Sequence, residues 1–292
     1  MHTELSSPIF RSLAHTPTAH IADAFNDAFA SYAVPVQMSP RDLEHLMRAR
    51  SVDLAASYGL FDRDTLIAFV LNGRRMRAGQ QVAYDSGTGV RQAYHGSGLG
   101  DRLIRSTLDA LAAAGFQRYV LEVITENRAA IGLYTKHGFA TTRELLCYRA
   151  STATLAHHSA GVQIAALPTD WEAKYATLQS YTPTWQNAAE SIRAIAPHCC
   201  CLTTGDSAYG VLEVASGNLM QLGWQTGHRR DAVAIVRAAA AHTSNDTIKA
   251  INVDAADERT PALLHELAFE QFVTQYEMAY RWPQASAIGD RA

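Results

Sequence analysis

Between Val90 and Gly100 the chain reads Val-Arg-Gln-Ala-Tyr-His-Gly-Ser-Gly-Leu-Gly, and this run leaves few folds open. The residues before it, 81–90, read as a strand. After it, Leu99, Leu103, Ile104, Leu108 and Leu111 recur at helical spacing until Gly115 stops the pattern. A strand that hands a glycine-rich turn to a helix N-terminus makes an anion cradle, because the first helical N–H groups have no partner within the helix. Gly96, Gly98 and Gly100 keep Cβ atoms out of the path of an approaching phosphate. Two phosphate-loop patterns are excluded. A P-loop needs Gly-Lys-Ser/Thr at its end, whereas Asp101 and Arg102 follow Gly100. A dinucleotide fingerprint needs a third glycine where Asp101 stands, which would set a carboxylate beside a pyrophosphate.

Further on, 121–139 reads Leu-Glu-Val-Ile-Thr-Glu-Asn-Arg-Ala-Ala-Ile-Gly-Leu-Tyr-Thr-Lys-His-Gly-Phe. The pattern predicts a buried strand, a helix that starts at Asn127, and a stop at Gly138. Together the two segments resemble the GCN5-related N-acetyltransferase family. His95 to Gly100 resembles that family's Gln/Arg-x-x-Gly-x-Gly/Ala pyrophosphate loop, with histidine in the first place. The run Asn-x-x-Ala-x-x-x-Tyr-x-Lys-x-Gly-Phe from Asn127 to Phe139 is similar to the family's later motif. His95, where arginine or glutamine is usual, and Gln92, where proline is common, depart from the pattern without removing a backbone contact.

Along the chain, a strand is expected at 9–13, an amphipathic helix at 18–32, and a helix that Ser39 and Pro40 begin. Antiparallel strands follow at 56–61, 66–73 and 81–90, then the loop and its helix, a strand at 119–124, the Asn127 helix, and a strand at 139–149. This is the element order of the acetyltransferase fold. After a small, polar stretch at 151–160, the plan recurs. Strands are expected at 162–167, 198–203, 209–214, 219–224, 248–253 and from 269. Helices are expected at 170–180, 185–195, 230–241 and near 261–267. Shifted by 130 residues, Leu121 falls on Ile251, Val123 on Val253, Leu133 on Leu263 and Phe139 on Phe269. The apolar skeleton repeats while the chemistry changes: Glu122 becomes Asn252, Asn127 becomes Asp257, Tyr134 becomes Leu264 and Gly138 becomes Ala268. Gly227-His-Arg-Arg-Asp231 stands for the glycine loop. The expected class is therefore α/β (α+β), with two similar domains, each a mixed, mostly antiparallel twisted sheet flanked by helices. Residues 1–150 are the expected catalytic domain, 151–160 a linker, and 161–292 a degenerate copy. The arrangement resembles tandem acetyltransferases in which one copy has lost activity.

Composition narrows the partners. With 25 Lys+Arg against 28 Asp+Glu the net charge is −3, which disfavours a general nucleic-acid binder. No apolar run approaches the ~20 residues of a membrane span, and the first residues carry no secretory pattern. Cys199, Cys200 and Cys201 are adjacent, which suits neither a metal site nor a disulfide framework and fits a half-buried strand in a reducing cytoplasm. No metal is expected, and the assembly is expected to be a monomer or homodimer.

The resemblance implies the chemistry. Acetyl-CoA would be the acyl donor and a primary amine the acceptor, a small molecule or a peptide amine, by direct attack in a ternary complex. Backbone N–H groups from His95 through Gly96, Ser97, Gly98, Leu99 and Gly100 would hold the pyrophosphate. Thr88, Gly89 and Val90 would pair with the pantetheine arm. Asn127 would cap its helix and touch that arm, and Lys136 would reach a CoA phosphate. Tyr134 would protonate the departing thiolate. Glu122, placed twelve residues before Tyr134 as in the ribosomal-protein alanine acetyltransferases, would be the base, with Asp85 and His95 as reserves. In a strand whose alternate residues Leu121 and Val123 are apolar, its proton affinity would be raised by desolvation. Tyr32, Met38 and Asp85 are the substrate-contact candidates, and a second domain over the cleft would favour a small acceptor. The competing expectation is a CoA-binding regulatory or sensor protein without turnover, against which the pairing of Glu122 with Tyr134 speaks.

Overall fold

The computed structural model describes residues 7–30, 37–155 and 161–283. The chain divides into two compact units, the first made of residues 1–142 with the C-terminal end from Met278, the second of Arg143–Glu277.

The first unit runs β1 (Ile9–Ser12), α1 (Thr18–Phe29), α2 (Pro40–Ala49), β2 (Tyr58–Asp62), β3 (Thr65–Arg77), β4 (Gln80–Val90), α3 (Leu99–Ala113), β5 (Arg118–Ile124) and α4 (Arg128–Lys136). Helix α2 begins as its sequence demands: Ser39 Oγ accepts from Asp42 N, the Asp42 carboxylate accepts in turn from Ser39 N, and Pro40 occupies the first turn. The β3–β4 hairpin closes on Ala78 and Gly79, both at positive φ, the twist that a two-residue turn requires. Strands β1 to β4 pair antiparallel in order, and β5 joins β4 in parallel. One face of β3 packs Phe69 and Leu71 against α1 and α2 with Ile21, Phe25 and Leu43. The other packs Ala68 and Val70 against Leu99 and Leu103 of α3.

The second unit continues with β6 (Ala140–Ser151), α5 (Thr152–Leu155), β7 (Gln163–Ala166), α6 (Trp171–Tyr175), α7 (Ala189–Ala194), β8 (Cys199–Thr203), β9 (Ala208–Glu213), β10 (Asn218–Trp224), α8 (Arg229–His242), β11 (Thr247–Asp254), α9 (Arg259–Glu266) and β12 (Glu270–Arg281). Its strands β7 to β10 are antiparallel neighbours, β11 meets β10 in parallel, and β6 pairs antiparallel with β11. The four cysteines are buried and free, and burial pushes the Cys199 thiol up to about 12.

The units do not divide where composition suggests. Residues 143–149, expected in the last strand of the first copy, belong to the second unit, with Lys249↔Arg149 and Ala250↔Tyr148 in register. The end of β12 returns to the first unit, where Tyr280 packs on Phe139 and Trp282 stacks on Tyr119. The stretch expected as a linker opens in secondary structure: Thr152 N donates to Asp246 O at 2.9 Å and Leu155 is buried in the second core. Small polar residues here serve a strand end and a helical turn. The expected helix at 185–195 shortens to α7, because Trp185 and Asn187 are taken into buried packing and hydrogen bonds before the helix begins.

Candidate functional site

Strand β4 bonds to β3 along its whole length, from Arg77↔Gln80 to Ala68↔Val90. Its pairing with β5 is shorter and ends at Asp85↔Leu121. The register with β3 steps from Asn72↔Asp85 to Leu71↔Gly87, so Ser86 is an extra, bulged residue. A bulge bends its strand and sharpens the twist, which separates β4 from β5 from this point on. Arg50, at the end of α2, donates to Ser86 O at 2.8 Å and holds the bulge. The β5-side edge of β4 from Gly87 to Val90 is thereby released from the sheet. Gly89 is required there for packing: a Cβ would lie 2.7 Å from the Phe69 ring and 2.8 Å from Ala28 Cβ.

A cleft of about 440 Å³ opens at this edge, lined by Thr88, Gly89 and Val90, by the loop, and by Ala130, Leu133 and Tyr134 of α4. Gly96 and Gly98 both sit at positive φ with nothing within 4 Å of a notional Cβ. Gly98 is the N-cap of α3 and offers no side-chain acceptor, so the N–H groups of Leu99, Gly100 and Asp101 open the helix toward the cleft. Gly100 is helical, and a Cβ on it would make ordinary contact with Leu133 at 3.5 Å. The phosphate-loop argument therefore rests on Gly96 and Gly98. The loop is anchored from α1: Arg91 pairs with Asp23 and Asp27, and Gln92 N donates to Asp27 Oδ1 at 2.8 Å. Sequence reasoning missed this clamp, although Asp23 and Asp27 share one face of α1 four residues apart.

The side chains facing the gap fall on two sides. In parallel strands, aligned residues share a face. Tyr84, aligned with Val120, and Glu122 share one face, where the Tyr84 hydroxyl donates to the Glu122 carboxylate. Asp85 points to the other, toward α4, where Tyr134 Oη donates to Asp85 Oδ2 at 2.9 Å. Carboxylate and phenol thus stand on opposite faces of the sheet beside the place where β4 and β5 part. Glu122 is half-buried and Tyr134 is buried. Asp85 is 6% exposed, and burial pushes its carboxyl above the ordinary 3.8 against the opposing bonds from Thr88, Tyr134 and Gly87 N. As a reserve base it is poorly placed, since its oxygens are already occupied.

The other expected residues separate. Asn127 caps α4, accepting from Ala130 N at 3.1 Å. His95 Nε2 meets Val90 O at 2.8 Å, and Ser97 Oγ donates to Tyr94 O at 2.5 Å. Lys136 lies on Asp101 at 2.5 Å, along with His137 at 3.0 Å and Arg105 at 2.7 Å, so its charge is engaged by a carboxylate of α3. Met38 is fixed through its backbone by Asn26 and packs on the α1–α2 core, away from the cleft lining. Tyr32 lies outside the described residues. Among the described residues there is no group of His, Cys, Asp and Glu that could hold a metal ion, and no helix is long and apolar enough to cross a membrane.

Residues 21–139 match the acetyltransferase (GNAT) family. Mycothiol acetyltransferase of Streptomyces scabiei is 31% identical over 126 residues, a match that spans 43% of this chain and 40% of that relative. N-alpha-acetyltransferase 30 of Schizosaccharomyces pombe is 28% identical over 93 residues, 32% of this chain and 62% of the relative. The whole fold is similar to a putative acetyltransferase from Pyrococcus horikoshii, with a TM-score of 0.70 over 97% of this chain and 93% of that one at 14% identity. It is also similar to a tandem GNAT protein from the clavulanic acid biosynthesis pathway, with a TM-score of 0.64 over 95% and 99% at 11% identity.

Proposed function

We propose that this chain, whose residues 21–139 match the acetyltransferase (GNAT) family, transfers an acetyl group from acetyl-CoA to a primary amine by direct attack in a ternary complex. The observation that carries this reading is the opening between β4 and β5, with a carboxylate on one face and a phenol on the other. Acetyl-CoA supplies an activated thioester and a thiol leaving group. The residues present fit it: Gly96 and Gly98 leave open space where side chains would stand, and the edge of β4 from Gly87 to Val90 is released from β5.

The residues divide the work that acetyl transfer requires. Backbone N–H groups at the start of α3 bind the pyrophosphate through hydrogen bonds and the helix dipole. The main chain of Thr88, Gly89 and Val90 orients the arm. Glu122, held by Tyr84, takes the proton of the incoming ammonium, directly or through water, and Tyr134 gives its proton to the departing sulfur from the other face. With acid and base on opposite faces, neither neutralises the other before transfer. The acceptor is a small-molecule amine or a peptide amine. The second unit is a degenerate copy that neither binds acetyl-CoA nor catalyses.

A thiol-release assay with acetyl-CoA against a panel of small amines and peptide N-termini tests the reading. Thiol release that depends on one acceptor class supports it. Tight cofactor binding with no acceptor-dependent release would replace it by a non-catalytic CoA-binding role.

A further inference from the structure

A second carboxylate stands at the gap and the acetyl-transfer scheme does not use it. Asp85 is nine-tenths buried and bonded on both oxygens. Gly87 N donates to Oδ1 at 2.9 Å, and Thr88 Oγ1 and Tyr134 Oη both donate to Oδ2, at 2.6 Å and 2.9 Å. Burying a carboxyl group in a strand is costly unless its bonds repay it. An apolar residue at this place would leave the Tyr134 hydroxyl without this acceptor. The bulge at Ser86 is what brings Asp85 and Thr88 onto one face and turns the carboxyl toward α4.

We propose that Asp85 is the positioning residue of the acid: its carboxyl accepts the Tyr134 hydroxyl, fixes the phenol at the mouth of the β4–β5 gap, and exchanges protons with it as one hydrogen-bonded pair. The inference rests on the acetyl-transfer reading for its purpose, but the pair itself rests on geometry alone. When Tyr134 releases its proton to a thiolate, the O–H bond breaks, an S–H bond forms, and the phenolate oxygen is left against Asp85. Where the carboxyl carries a proton, its O–H breaks and the phenol O–H re-forms, so the charge ends on the carboxylate. That carboxylate is met by Gly87 N and Thr88 Oγ1. The other charged and titratable groups acting on the pair are Arg50, at the end of α2, and Tyr119 of β5, on which Tyr58 of β2 also acts. Burial raises the proton affinity of the carboxyl, and Thr88, Tyr134, Gly87 N and Arg50 lower it, with the net shift upward from 3.8.

The test is a titration of the tyrosine ring carbons by NMR on ¹³Cζ-tyrosine-labelled protein. The Tyr134 resonance is assigned by its loss in Tyr134→Phe. In the wild type this resonance is expected to move in two steps, one as Asp85 ionises and one as the phenol does. In Asp85→Asn the first step disappears and the second moves to lower pH by about one unit or more, because a neighbouring negative charge is gone. In parallel, kcat of Asp85→Asn falls at least about tenfold with the KM for acetyl-CoA little changed, and its basic limb moves down with the NMR midpoint. A Tyr134 titration that is the same in wild type and Asp85→Asn would overturn the proposal. If Asp85→Asn does not fold, Thr88→Val removes one donor from the same oxygen. It should raise the first step, and an unmoved first step would equally overturn the claim. Coupled titration in a protein that acetylates no amine would leave the pair standing and sink the acetyl-transfer reading instead.

Discussion

Both units carry a bulge in the strand that leads toward the long helix, Ser86 in β4 and Met220 in β10, and put it to different uses. In the first unit the residue after the bulge is Gly87, and β4 is free of β5 from there on. In the second, the register of β10 with β9 steps from Leu219↔Leu212 to Gln221↔Val211, so Met220 is the bulge and Gln221 follows it. Strands β10 and β11 pair at Asn218↔Lys249 alone, against the four pairs of β4 with β5 from Val82↔Arg118 to Asp85↔Leu121. That gap is closed by side chains. Gln221 Nε2 donates to Asn187 O at 2.7 Å, and Asn187 Nδ2 donates to Ile251 O at 2.7 Å, which joins the two strands across the opening. Gln179 and Tyr209 complete the network on Gln221. The cavity beside it measures about 10 Å³, room for one water, against about 440 Å³ in the first unit. A parted strand pair is therefore a slot only when the residue after the bulge is small. With glutamine there, the same backbone becomes a closed polar core.

The largest expected effect comes from the loop that only the first unit has. Gly98→Val places a β-branched residue at φ +79 and a side chain in the open space before α3. The strain alone, about 1–2 kcal/mol, corresponds to roughly a tenfold loss or more of acetyl-CoA affinity, before steric exclusion of phosphate is added. Isothermal titration should show weakened or absent binding and no residual site. Next in size, Tyr134→Phe should lower kcat by ~10²–10⁴-fold with cofactor affinity kept, as expected for loss of a general acid. Steady-state kinetics and binding measured on the same preparation check this. Unchanged turnover would remove Tyr134 from the mechanism. For Glu122→Gln the acidic limb of the rate–pH profile should flatten. If only thermal stability changes, the Glu122–Tyr84 contact is structural.

Much of this contrast is legible in the sequence, and the part that is not has a physical cause. Alternating glycines before an amphipathic helix reveal the loop. The 130-residue shift finds the repeat down to its helix ends: Phe139 N bonds to Tyr134 O and Phe269 N to Leu264 O, with Gly138 and Ala268 both at positive φ. Asp257 caps as Asn127 does, accepting from Thr260 N at 3.1 Å. Periodicity cannot reveal which unit a strand joins, because β6 and the end of β12 have the same pattern wherever they pair. Nor does it find the Asp85–Tyr134 pair, since a bulge shifts the parity that places Asp85 on the α4 face. The partner of Lys136 is a further point that periodicity does not reveal. The helical position of this lysine is right, but Asp101 competes for its charge.

Smaller effects sharpen the comparison from the other side. Asn187→Ala removes the donor to the part-buried Ile251 carbonyl and should cost about 1–3 kcal/mol of stability without creating a cofactor site. Chemical denaturation and titration together check both halves. Smallest and most specific is the pH dependence of Asp85→Asn stability. Burial raises the Asp85 pKa above 3.8, so the folded state holds this proton more tightly than the unfolded chain. The stability it contributes is complete below the unfolded value and is lost as pH rises through the folded one. Asp85→Asn should therefore gain melting temperature relative to wild type as pH rises through that window, and the gain should vanish toward acid. A gain that is constant with pH would place the carboxyl outside this linkage.

The measurement that bears most directly on the division between the units is the stoichiometry of acetyl-CoA binding by calorimetric titration of the whole chain. The slot in the first unit and the Gln221–Asn187 closure in the second predict one site per chain, abolished by Gly98→Val. A stoichiometry near two, or a site that survives Gly98→Val, would show that the second unit holds cofactor despite its closed gap, and would contradict the account.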